Sequence, residues 1–64
     1  MHKLKQVRLG KRLTQAELSN LSGISQQYIS DIEKGVSTGS VSTLRKLAKA
    51  LNVSVSELLD DKSN

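Results

Sequence analysis

Leu13 to Gly35 reads LTQAELSNLSGISQQYISDIEKG, and the punctuation of this stretch decides the fold. Thr14 followed three residues later by Glu17 is a capping box, in which side-chain oxygens satisfy backbone N–H groups that a helix start leaves unpaired. Leu13 and Leu18 take the two positions of a hydrophobic staple around it, so a helix begins at Gln15. Ser25 caps a following helix, with Ile24 and Ile29 as its staple. Gly23 and Gly35 each follow a periodic run, where a left-handed residue ends a helix. Only Ser22, Gly23 and Ile24 separate the two helices, too few for a relaxed antiparallel hairpin. They must therefore cross steeply.

A steep crossing is the geometry of a helix-turn-helix. It needs a small residue where the helices touch, a turn residue tolerant of positive φ, and apolar anchors. Ser19, Gly23 and the set Leu18, Ile24, Ile29 and Ile32 supply them.

Outward from this unit the same signals continue. Leu4 and Val7 place a first helix over about residues 3–9 that loosens near Gly10. Ser40 caps a helix in which Val41, Leu44, Leu47, Ala48 and Leu51 recur at helical spacing, and Asn52 can end it. Ser54 with Glu57, bracketed by Val53 and Leu58, is a second capping box and predicts a short terminal helix from about Val55. No alternating apolar stretch competes as a strand, and no proline interrupts a helix. The expectation is an all-α, compact five-helix bundle containing a helix-turn-helix, one domain over residues 1–59 with a disordered tail at 60–64.

The chain has 64 residues, no cysteine, and a single His at position 2. Disulfides and a structural zinc site are thereby excluded, and ordinary packing must hold the domain together. Enzymatic chemistry lacks its parts: there is no cysteine nucleophile, no internal His and no phosphate-binding glycine loop. No cofactor, metal or small-molecule ligand is expected. No apolar run approaches the roughly 20 residues of a membrane span, which excludes a membrane role and makes the cytoplasm the expected location.

The formal charge is +4, and its distribution says more than its size. Residues 1–12 hold five cations and no acid, 13–33 hold three acids and no cation, and 34–49 hold four cations and no acid. Basic segments flank a nearly neutral one rich in Gln, Ser and Asn. That pattern suits a polyanion held at its edges and read in the middle, although solvated helix faces produce it too.

With the motif in place, the chain resembles the Cro/repressor (XRE-type) helix-turn-helix domains of bacterial and phage transcriptional regulators, and most closely the small lambdoid-repressor type. The matching residues are Leu13 to Gly35, quoted above, and TLRKLAKALNVSVSELL from Thr43 to Leu59. Ser19 stands where that family usually has Ala, and the loop at 36–40 lacks the proline and cations common there. The resemblance implies a sequence-specific DNA-binding transcriptional regulator, a repressor, that places its third helix in the major groove of an operator. One helix reads only a few base pairs, so a homodimer on an inverted-repeat DNA operator is the expected partner arrangement, in a bacterial or phage-infected cell and associated with the nucleoid.

At 100° per residue, Ile29 and Ile32 mark the buried side of the third helix. Gln27, Ser30, Asp31 and Lys34 cluster opposite, with Gln26 exposed at the start. Gln pairs bidentately with adenine and Ser donates or accepts, so Gln26, Gln27 and Ser30 are candidate base contacts; the same side chains are also ordinary soluble surface. Asp31 is a fourth candidate, either accepting from cytosine N4 or structurally neutral. Candidate phosphate contacts are Gln15, which the resemblance also supports, with Ser25, Lys34, Ser37, Thr38 and the hydroxyl of Tyr28. Lys11 and Arg12 are further cations before the motif, and Arg45, Lys46 and Lys49 belong to the solvated surface of the fourth helix.

Glu33 lies angularly close to Ile29, where an unpaired charge is costly, and Arg8 follows Leu4 by one turn. A structural salt bridge between them is expected, as the resemblance also implies. Val53, Val55 and Leu59 are candidates for a dimer contact or for the edge of the monomer core. The competing function is a protein-interaction or antitoxin-like helical module whose helices bind another protein, which predicts no salt-sensitive affinity for DNA and no effect on it of replacing Gln26 and Gln27 by Ala.

Overall fold

The computed structural model describes residues 2–59, with side chains from Lys3 onward; the expected tail at 60–64 lies outside them. Four α-helices follow one another: α1 (His2–Gly10), α2 (Gln15–Ser22), α3 (Gln26–Lys34) and α4 (Val41–Leu51). α2 packs against both α3 and α4, and α1 packs against α3. Leu4, Leu18, Ile24, Ile29, Ile32, Leu44, Leu47, Ala48, Leu51 and Leu58 form the core. The all-helical bundle is as expected among the described residues, but the count of five helices is corrected to four.

The fifth expected helix is a single 3₁₀ turn, Val55–Glu57. Its backbone bonds run three residues back, from Glu57 N–H to the Ser54 carbonyl and from Leu58 N–H to the Val55 carbonyl. The Glu57 N–H is thereby already satisfied, and no side-chain bond caps the turn. Ser54 Oγ instead lies 3.0 Å from Ser56 Oγ. Leu58, fully buried, pins the turn to the core before a second turn can form, and so short an element does not repay helix nucleation.

Side-chain and backbone hydrogen bonds close both ends of the turn in the helix-turn-helix. Thr14 and Glu17 complete the capping box, with Glu17 N–H on Thr14 Oγ1 at 3.0 Å and Thr14 N–H on Glu17 Oε1 at 2.8 Å. Gly23 adopts φ +76° and its N–H closes α2 on the Ser19 carbonyl. Ser19 Oγ donates to the Ile24 carbonyl at 2.6 Å, which accounts for Ser where Ala is usual in the resembled domains. Ser25 Oγ accepts from Tyr28 N–H and starts α3. A Cβ at Gly23 would meet nothing within 4 Å, so Gly23→Ala tests conformation alone. Denaturant titration should show a loss of about 1 kcal/mol, the cost of the left-handed region for a residue with a Cβ.

At the end of α1 the helix continues through Gly10, and the left-handed residue is Arg12 at φ +61°. Leu13 N–H returns to the Arg8 carbonyl at 3.2 Å, which folds the chain back toward α2.

Candidate nucleic-acid interface

α3 turns its apolar edge, Ile29 and Ile32, into the core and leaves Gln26 and Gln27 exposed. The steep turn sets the start of α2 beside the start of α3. Gln15, Gln26, Gln27 and Ser30 consequently line one shallow polar notch of about 340 Å³. All four side chains are neutral and carry both hydrogen-bond donors and acceptors. Asp31 stays outside the notch lining but is tied to it, because Gln27 Nε2 donates to Asp31 Oδ1 at 3.0 Å.

A second hollow of about 340 Å³ continues the same surface through Gln15 and Ser30, lined also by Lys5, Arg8, Glu33 and Lys34. Lys5 and Lys34 are its exposed cations. In the sequence Lys5 is one cation among several in the first helix, and the packing of α1 on α3 is what places it on this side. A neutral centre with cations at its margin is the arrangement that the charge blocks suggested.

Beneath the second hollow, Arg8 and Glu33 form a bidentate ion pair, Nε to Oε2 at 2.7 Å and Nη2 to Oε1 at 3.1 Å. Their side chains are 8% and 4% exposed, so the pair is shielded from water. Arg8 Nη1 also donates to the Leu13 carbonyl at 2.8 Å, and Gln15 Nε2 donates to Glu33 Oε1 at 3.0 Å. One guanidinium thus joins α1, the entry to α2, and α3. Burial is the largest influence on the Glu33 carboxyl and would raise its pKa. The hydrogen bonds from Arg8 and Gln15 and the charges of Arg8 and Lys5 together outweigh it, holding the carboxyl below the usual value. The hydrogen bond to Glu33 raises the Arg8 pKa above its ordinary value against the opposing cost of burial.

The remaining candidates are spread around this surface. Gln15 spends one amide hydrogen on Glu33, leaving its second for a phosphate together with the first-turn backbone. Ser25 Oγ accepts the cap bond and keeps its own proton to donate. Tyr28 is half-buried against the core, while Ser37 is half-buried and Thr38 exposed in the loop between α3 and α4. Val53 and Val55 pack partly against the core, whereas Leu59 remains 45% exposed. Among the described residues, no group of three or more His, Cys, Asp and Glu could hold a metal ion, and no helix is long and apolar enough to cross a membrane.

The chain matches the profile of the family described as Helix-turn-helix over residues 4–58. Among curated proteins it is 49% identical over 53 residues to the HTH-type transcriptional regulator y4dJ of Sinorhizobium fredii, covering 83% of this chain and 69% of that one. It is 39% identical over 59 residues to the control protein C.BamHI of Bacillus amyloliquefaciens, covering 91% of this chain and 73% of the relative. With the immunity repressor protein of Bacillus phage phi105 it shares 33% identity over 61 residues, 95% of this chain but only 42% of that protein. No solved structure gives a significant match. With its profile matched from Leu4 to Leu58 and its turn built as the motif requires, the chain belongs to the helix-turn-helix family of Cro/repressor type.

Proposed function

We propose that this DNA-binding transcriptional regulator acts as a repressor by laying α3 in the major groove of an operator, with Gln26, Gln27 and Ser30 on base edges. The observation that carries the reading is the neutral notch of Gln15, Gln26, Gln27 and Ser30, with Lys5 and Lys34 at its margin. Neutral amides and hydroxyls discriminate bases, and cations contribute affinity without sequence information. Gln15, Ser25, Tyr28, Lys34, Ser37 and Thr38 hold phosphates in this reading, and Lys5 joins them. The regulatory names of the relatives, a phage immunity repressor among them, support the same role. It is a role in binding, not in catalysis, exercised in the cytoplasm on nucleoid DNA.

A single α3 of nine residues covers one stretch of groove, so the reading includes a homodimer on an inverted repeat. Leu59, exposed beside the half-buried Val53 and Val55, supports a contact between copies at that end of the chain. Selection of bound duplexes from a randomised pool, followed by footprinting, tests the proposal. The expected site has two half-sites about 34 Å, one helical turn, apart. Failure to enrich any sequence would remove specific DNA reading and favour a protein-interaction module.

A further inference from the structure

Asp31 is an acid on the surface assigned to a polyanion. Its carboxylate pairs with no cation among the described residues, and its one hydrogen-bond partner there is Gln27 Nε2, at 3.0 Å. Near phosphates this charge works against binding, so its effect on Gln27 is what matters.

An ionised carboxylate only accepts hydrogen bonds, so it draws the NH₂ end of the Gln27 amide and never the oxygen. One of the two Nε2 hydrogens is then committed. Gln27 keeps one N–H and Oε1 for a base edge. Adenine offers N7 as acceptor and N6 as donor, which matches that remaining pair. Guanine offers two acceptors, N7 and O6, and demands two donors. An unrestrained Gln can turn both amide hydrogens toward guanine, but one held by Asp31 cannot. In water an exposed pair at this spacing is weak. Inside a groove that excludes solvent, the competing water is gone and the hydrogen bond strengthens.

We propose that Asp31 is a specificity-determining positioning residue, which holds the Gln27 amide so that Gln27 accepts adenine and rejects guanine. The assignment rests on the DNA-reading function proposed above. It differs from direct reading by Asp31, in which the carboxylate itself would accept from cytosine N4.

The test uses the site selected by the wild-type protein, with every position changed to each of the other bases and affinity read by fluorescence anisotropy. Gln27→Ala first identifies the position that Gln27 reads. At that position the wild-type preference for adenine over guanine is expected to be about tenfold or more. In Asp31→Ala it should fall to within about threefold, while preferences at positions insensitive to Gln27→Ala stay as they were. On the Gln27→Ala background, Asp31→Ala should alter no base preference further, its only remaining effect being a gain in affinity shared by all sequences as a charge that repels phosphate is removed. Preservation of the adenine preference in Asp31→Ala overturns the assignment. So does a loss that appears instead at a cytosine which Gln27→Ala leaves untouched. A wild-type protein that selects no site overturns the DNA reading and this assignment with it, whereas a selected site that Asp31→Ala reads normally overturns the assignment alone.

Discussion

Replacing Arg8 by Ala should lower the free energy of unfolding by about 3 kcal/mol or more, because it strands a shielded carboxylate. Glu33 is 4% exposed and would lose both bonds of its bidentate partner, and the Leu13 carbonyl would lose a third. Stability of about 3–10 kcal/mol is ordinary for a chain of 64 residues, so the loss is a large share of the whole. Arg8→Lys should recover little, since one ammonium cannot span Glu33 and Leu13 together. Urea titration reads the effect directly, and a midpoint equal to that of the wild type would contradict it.

The same pair makes stability depend on pH. The Glu33 carboxyl is held below its ordinary value in the folded protein. Its contribution is therefore complete above the ordinary carboxylate value. As pH falls below about 5, the unfolded chain takes up a proton before the folded one does, and stability declines until the folded pKa is passed. Glu33→Gln should be less stable near neutrality and show a flatter profile across that acid range. A profile as steep as that of the wild type would assign the acid sensitivity to other carboxyls.

The second large effect concerns binding and leaves the fold alone. Gln26→Ala with Gln27→Ala should weaken binding to the selected operator by about 100-fold, since each bidentate Gln–adenine pair contributes about 1–3 kcal/mol of discrimination. Both side chains are exposed, so thermal stability should change little. Neither is charged, so the slope of affinity against salt should be retained along with binding to unrelated DNA. Equal loss on specific and unrelated DNA would place these residues among the phosphate contacts.

Why some of this was legible from the residues and some was not has a physical basis. Caps and stops are local, and Thr14 with Glu17, Ser25, Ser40, Gly23, Gly35 and Asn52 mark ends of α2, α3 and α4 where the chain shows them. The exposed face of α3 follows from helical periodicity once Ile29 and Ile32 are inside. Ser54 and Glu57 carry the same local signature as Thr14 and Glu17, yet form only a 3₁₀ turn, because burial of Leu58 holds that turn against the core. Propensity yields there to tertiary packing.

Relations between distant elements were less visible. Arg8 with Glu33 could be inferred because both fall on apolar edges, where a charge demands a partner. The bond from Gln15 to Glu33 gives no such warning, since Gln15 needs no partner at a helix start. Lys5 is one of five cations in the first twelve residues, and only the docking of α1 on α3 sets it beside Lys34. Val53 and Val55, left between dimer contact and core by their spacing, pack partly on the core; Leu59 is the more exposed of the three.

Replacing each adenine of the selected site in turn by 7-deazaadenine tests most directly whether α3 reads bases in the major groove. The substitution removes the N7 acceptor there and leaves base pairing and the minor groove intact. Wild-type affinity should fall by about fivefold or more at one or two positions in each half-site, and the variant lacking Gln26 and Gln27 should not respond at those positions. Undiminished wild-type binding to every substituted duplex would contradict the account.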